Sequence, residues 1–201
     1  DLETDALVQL TNCVDNRCEH PRWSPSGTTI AYERIDFNSD SGNIGLPLAN
    51  TGLASSPSRI WLIHLTTEPP TNDLLFNDNQ KLGYLPVWSA DGNQIAVYDR
   101  SIPGVRIYDF VQNQEISLPS LYGVPGFLSP DGAQLILPEV ARDDMGMNPH
   151  LQIITLSTQE ITPLSTAADL VSEQVAAWRP DGQTLVIARR NLNYQHRGDQ
   201  L

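Results

Sequence analysis

The sequence predicts an all-β chain folded as a β-propeller of four-stranded antiparallel blades. Three observations carry that prediction. A strand–turn–strand phrase is written four times, as Arg22-Trp23-Ser24-Pro25-Ser26-Gly27-Thr28-Thr29-Ile30-Ala31-Tyr32, then over Tyr84–Tyr98, Phe127–Leu137 and Ala177–Ile187. Its anchor positions, Trp23, Trp88, Leu128 and Trp178, recur about every 40 to 65 residues, which brackets the period of a propeller blade. Each copy is followed by further short apolar runs separated by turn residues, as a blade of several strands requires.

The phrase has a mechanical reading. An apolar strand ends at Trp or Leu. Pro25, Pro130 and Pro180 preset φ near −65° for the first corner of a type I turn. Asp91, Asp131 and Asp181 follow, each with a short carboxylate able to accept a nearby backbone N–H. Gly27, Gly92, Gly132 and Gly182 close the corner, where a left-handed residue is needed. Ser26 stands in for Asp, Ala90 for Pro, Leu128 for Trp and Arg179 for Ser. Only the glycine is the same in all four copies.

The blades then fall out in order, near 21–76, 84–118, 126–164 and 174–201. Ala6–Leu10 reads as the outer strand of a preceding or closing blade. In the first blade a long polar loop, Asp36–Ser58, precedes the strand Arg59–Leu65 and a short outer strand. The second blade repeats the plan with Val105–Phe110 and Glu115–Leu118. The third carries a polar loop, Val140–His150, before Leu151–Leu156 and Glu160–Leu164. Ser165–Ser172 reads as a helical turn, and the last copy supplies the front half of a further blade. Two arrangements fit: three full blades plus two incomplete ones as part of a larger propeller, which is preferred, or a four-bladed ring. Open blade edges in the first arrangement invite self-association.

Composition narrows the partners. The chain has 201 residues, with 12 Lys and Arg against 24 Asp and Glu, for a formal net charge of −12. That is opposed to nucleic-acid binding, which needs a basic footprint. No apolar run approaches the ~20 residues of a membrane span. Cys13 and Cys18 are the only cysteines. They suggest a small disulfide loop in an oxidising compartment; the rivals are free thiols, or a zinc site with His20 nearby.

The Trp-Ser-Pro-Asp-Gly phrase, with four strands per unit from about Leu7 to Ile187, resembles the WD-like propeller repeat of the TolB family. The resemblance implies an extracytoplasmic, periplasmic or secreted scaffold that binds a protein or peptide, or a glycan. The same repeat also occurs in the gating propellers of prolyl-oligopeptidase-like serine peptidases and in metal-dependent polysaccharide lyases, which are the alternatives. Catalytic signals are missing: there is no G-x-S-x-G elbow, P-loop or dinucleotide glycine pattern. A non-catalytic protein without cofactor or metal is therefore expected.

Propeller topology divides the loops between two faces. The Trp-Pro-Asp-Gly turns lie on one. The Cys13–Cys18 loop and the long loops fall on the other, and loops on a rigid scaffold are where binding residues concentrate. The expected binding residues are Asp36, Asp40, Arg142, Asp143, Asp144 and His150. The turn residues Trp23, Gly27, Trp88, Asp91, Gly92, Asp131, Gly132, Trp178, Asp181 and Gly182 are expected to be structural.

Overall fold

The computed structural model describes residues 7–14, 16–36, 57–78, 80–143, 146–165 and 171–192. Fourteen strands are present among them. Sheet one is β1 (Asn16–Trp23), β2 (Thr29–Asp36), β3 (Ser58–His64) and β4 (Thr71–Leu74). Sheet two is β5 (Tyr84–Trp88), β6 (Gln94–Asp99), β7 (Gly104–Asp109) and β8 (Gln114–Pro119). Sheet three is β9 (Phe127–Leu128), β10 (Gln134–Asp143), β11 (Gly146–Thr155) and β12 (Glu160–Pro163). The fourth sheet pairs β13 (Val171–Trp178) with β14 (Leu185–Asn191). Every pairing is antiparallel and joins neighbours in sequence, so each sheet is a meander, the blade of a β-propeller.

The four turns form as their chemistry dictates. Gly27, Gly92, Gly132 and Gly182 have φ of 70, 75, 67 and 71°. Each donates its N–H to the carbonyl three residues back, Gly92 to Ser89 at 3.0 Å. Asp91, Asp131 and Asp181 each accept the N–H two residues on. Ser89 and Ser129 add a hydroxyl bond to the same carboxylate. Where Arg179 replaces that serine, its guanidinium takes over, 3.1 Å from Asp181.

The core lies between sheets. Ala31, Ile60 and Leu62 of sheet one meet Ile95 and Val97 of sheet two. Ala96, Val105 and Ile107 on the other face of sheet two meet Leu135, Leu137 and Ile154 of sheet three. Ile136 and Leu151 in turn meet Ala176 and Trp178. Both faces of an internal sheet are thus buried, which is why its strands are apolar on alternate and intervening positions. The indoles bind consecutive blades together: Trp88 donates to the carbonyl of Arg22 and Trp178 to that of Phe127.

The packing runs from sheet one to sheet four in chain order, with no comparable contact between sheets four and one among the described residues. Val186 occupies the repeat position of Ala31, Ala96 and Ile136, all fully buried, yet is 66% exposed. The described blades form an open arc.

Two expectations are corrected, and the expected disulfide is present. Leu7–Leu10 is not a strand; Leu7 and Val8 are exposed, and Leu10 packs on the outward face of sheet one beside Cys18. Cys13 and Cys18 form a disulfide, which closes that segment into a small loop. Val140–His150 is not a loop but the outer part of the β10–β11 hairpin, in register to Asp143↔Gly146. Pro138 and Pro149 do not break the hairpin. Leu151, opposite Pro138, sends its carbonyl to Leu164 and its N–H to Glu173, so the pair is a non-hydrogen-bonded one. Pro149, two residues on, falls in the same phase, where a proline nitrogen deprives the ladder of nothing. Most of the Asp36–Ser58 segment and of the Ser165–Ser172 turn lies outside the described residues.

Candidate functional site

Among the described residues, a groove of about 700 Å³ lies between blades two and three, on the face that carries the Trp-Pro-Asp-Gly turns. Its walls are the β5–β6 and β7–β8 turns of one blade and the corresponding turns of the next. Asp91, Asp109 and Asp131 line it, with Gln94, Gln112 and Gln159, over a floor that includes Ile107 and Leu156. Among the described residues, no Lys or Arg lines it.

The three carboxylates are held ionised. Burial pushes Asp91 up, but hydrogen bonds from the Ser89 hydroxyl and from Asn93 more than offset it, leaving the group below the usual carboxylate range. At Asp109 burial is likewise outweighed, by the N–H groups of Gln112 and Val111 and the amide of Gln94. Asp131 is lowered chiefly by the Ser129 hydroxyl and then by the Ala133 N–H. The charge of Asp91 opposes the ionisation of both other groups. The turn chemistry therefore maintains three negative charges around one concavity, with Asp91 repelling the other two, and a cation entering it relieves that repulsion.

The groove lies at the junction where the repeat departs from its own pattern. At the other junctions the closing glycine of one blade faces a proline of the blade before. A methyl group added at Gly92 would sit 3.4 Å from Pro25, and one at Gly182 would sit 3.8 Å from Pro130. Blade two has Ala90 at this position, and the neighbour of Gly132 is instead the side chain of Gln94. Ala90→Pro should restore the usual ring at this corner. It is expected to raise stability by about 0.5–1 kcal/mol in urea denaturation, because the backbone already suits proline at the three equivalent positions.

Of the residues expected to form a binding face, Asp36, Arg142, Asp143 and His150 fall among the described residues. Asp36 ends β2 and takes a 3.0 Å bond from Arg34. Arg142 and Asp143 sit at the tip of the β10–β11 hairpin, opposite Met147 and Gly146. Asp40 and Asp144 lie outside the described residues. His150 is not a solvated loop residue: it is 5% exposed, and its Nδ1 lies 3.0 Å from Ser165 Oγ. Ser165 donates to Glu173, which is also met by Arg189 and by the Leu151 N–H. Burial pushes the Glu173 carboxyl up, and these partners more than reverse it, so the group lies below its ordinary value. This buried chain ties β11 to β13.

The turn aspartates Asp91 and Asp131, expected to be structural, hold their turns and also line the groove. Asp109 was missed; it lies at a β7–β8 turn, a short Asp-Phe-Val-Gln corner with no motif. The signal that could have found the groove was Ala90, the one turn lacking proline.

No protein-family model matches the chain, and no curated protein does. Solved structures do. TolB from Acinetobacter baumannii is 17% identical with a TM-score of 0.53, over 89% of this chain and 39% of that one. Dipeptidyl peptidase 4 of Porphyromonas gingivalis is 12% identical with a TM-score of 0.54, over 85% of this chain and 29% of that one. A prolyl endopeptidase reaches a TM-score of 0.55 at 13% identity, over 86% of this chain and 26% of its own. The chain thus spans less than half the length of each. At these identities the likeness shows the fold alone, and what the meandering sheets, the four turns and these structures establish together is a β-propeller.

Proposed function

We propose that the chain is a non-catalytic, extracytoplasmic binding propeller whose acidic groove receives a cationic segment of a protein or peptide partner. The observation that carries the reading is the convergence of Asp91, Asp109 and Asp131 on one groove with no basic residue in its lining among the described residues. A Lys- or Arg-bearing peptide supplies both the charge and the N–H donors that these carboxylates and the flanking amides accept. The chain's net charge of −12 steers such a partner toward it. The Cys13–Cys18 disulfide supports an oxidising compartment.

Calorimetric titration with a lysine pentapeptide at low ionic strength tests the reading. Binding is expected, weakening with salt, while a glutamate pentapeptide gives none. Asn keeps the oxygen that each turn needs but removes the charge. The triple change Asp91→Asn, Asp109→Asn, Asp131→Asn should therefore preserve the fold and weaken binding by about tenfold or more. Because the three carboxyls lie below their ordinary values, affinity should hold down to the usual carboxylate range and be lost only as pH falls through the lowered values. Unchanged affinity in the triple variant would sink the proposal.

A further inference from the structure

A second constellation lies where β1 enters sheet one, away from the groove. Glu19 and Glu33 are register partners across the β1–β2 ladder. Two carboxylates directly opposite on one sheet face repel and cost stability unless a positive group lies between them. Ordinary alternation would turn the next residue, His20, to the other face. It does not, because β1 carries a bulge between Glu19 and Arg22 and His20 has φ of 50°, in the left-handed region. The bulge swings the imidazole back, and Nδ1 stands 2.9 Å from Glu33 Oε1. One ligand atom from each of the three side chains lies within 4.8 Å of the other two.

Glu33 is the anchor. It is 2% exposed, accepts the Leu85 N–H at 2.6 Å and lies 3.5 Å from the Ser58 hydroxyl. The other deeply buried glutamate, Glu173, is met by the permanent charge of Arg189. Glu33 is met by an imidazole, which is charged only when protonated. Glu19 and His20 are partly open to solvent, and Arg17 contacts Glu19 at 2.8 Å from the outer side.

We propose that Glu19, His20 and Glu33 form a binding site for one divalent first-row transition-metal ion, distinct from the acidic groove. Donor type selects this class: one imidazole nitrogen with two carboxylate oxygens suits zinc or manganese better than calcium, which takes six or more oxygens. Two ligand atoms 2.9 Å apart subtend close to a right angle at an ion bonded to each at about 2.1 Å, as in an octahedral site; tetrahedral zinc would draw them about 0.5 Å farther apart, within reach of the partly exposed His20 ring. Three donors from one side leave the remaining positions to water or an added ligand on the solvent side. Through Glu33 and the Leu85 N–H, the ion would also brace the first blade against the second.

The test is titration of the chelator-treated, purified chain with Zn²⁺ at neutral pH, read by calorimetry and by the visible absorption of a Co²⁺ replacement. One equivalent is expected to bind, with Ca²⁺ and Mg²⁺ at least about a hundredfold weaker. His20→Ala should abolish the site, with loss of the Co²⁺ spectrum. Glu19→Gln, at a partly exposed position where folding is not at risk, should weaken binding about tenfold or more. His64→Ala controls for the exposed His64–Asp73 pair and should change nothing. Failure of the wild-type chain to bind, or binding that survives His20→Ala, overturns the proposal. So does binding that is lost in His64→Ala.

Discussion

Replacing Arg106 by alanine is expected to destabilise the protein by about 3 to 5 kcal/mol, the scale for removing one partner of a buried ion pair. Arg106 lies on β7 inside the junction of blades one and two. Its Nε donates to Asp99, and its terminal nitrogen to Glu115 and the Ser117 hydroxyl. Glu115 is shared with Lys81 of the preceding connection at 2.7 Å. Burial pushes the guanidinium pKa down, but the bonds to Asp99 and Glu115 more than reverse this, so the charge is permanent. Alanine would leave the fully buried Asp99 carboxylate facing no cation, with only Ser101 to hold it. Urea denaturation measures the loss. The double variant Arg106→Met, Asp99→Asn should cost less than the two single changes added together, since the two residues share one interaction.

Gly126→Ala is the second large effect, at about 3 kcal/mol. Gly126 has φ of 82°, and a Cβ there would stand 2.5 Å from the carbonyl oxygen of Ile136. Backbone cannot swing aside as a flexible side chain can. β9 would have to separate from β10, although it is held by only two register pairs. Gly27→Ala provides the contrast. Its φ is 70°, but nothing lies within 4 Å of the added carbon. It should lose only the left-handed penalty of about 1 kcal/mol. Equal losses at the two positions would show that the steric contact with Ile136 does not matter.

The parts of this molecule legible in the sequence are those fixed by local backbone chemistry. A glycine corner after Ser-Pro-Asp can be read from five residues, because the hydrogen bonds that close it lie within those five. The four blades followed from that corner and from its period. What stayed hidden depends on register and on contacts across blades. Pro138 and Pro149 looked like the borders of a loop, since their harmless phase in the β10–β11 ladder appears only once the strands are paired. His150 looked solvated for the same reason. The bulge that turns His20 toward Glu33 leaves no mark beyond a proline at position 21. The groove is built from turns of two different blades. Asp91 and Asp131 were noted for their turns, and their proximity to Asp109 is a product of blade packing.

If the turn face between blades two and three is the binding surface, as proposed, a cationic peptide should shield its backbone amides. Hydrogen–deuterium exchange with and without the lysine pentapeptide tests it most directly. Slowed exchange is expected at Asp91–Gln94, Asp109–Gln114 and Asp131–Ala133, with the β10–β11 hairpin tip unchanged. Protection confined to that tip, or none at the three turns under saturating peptide, would contradict it.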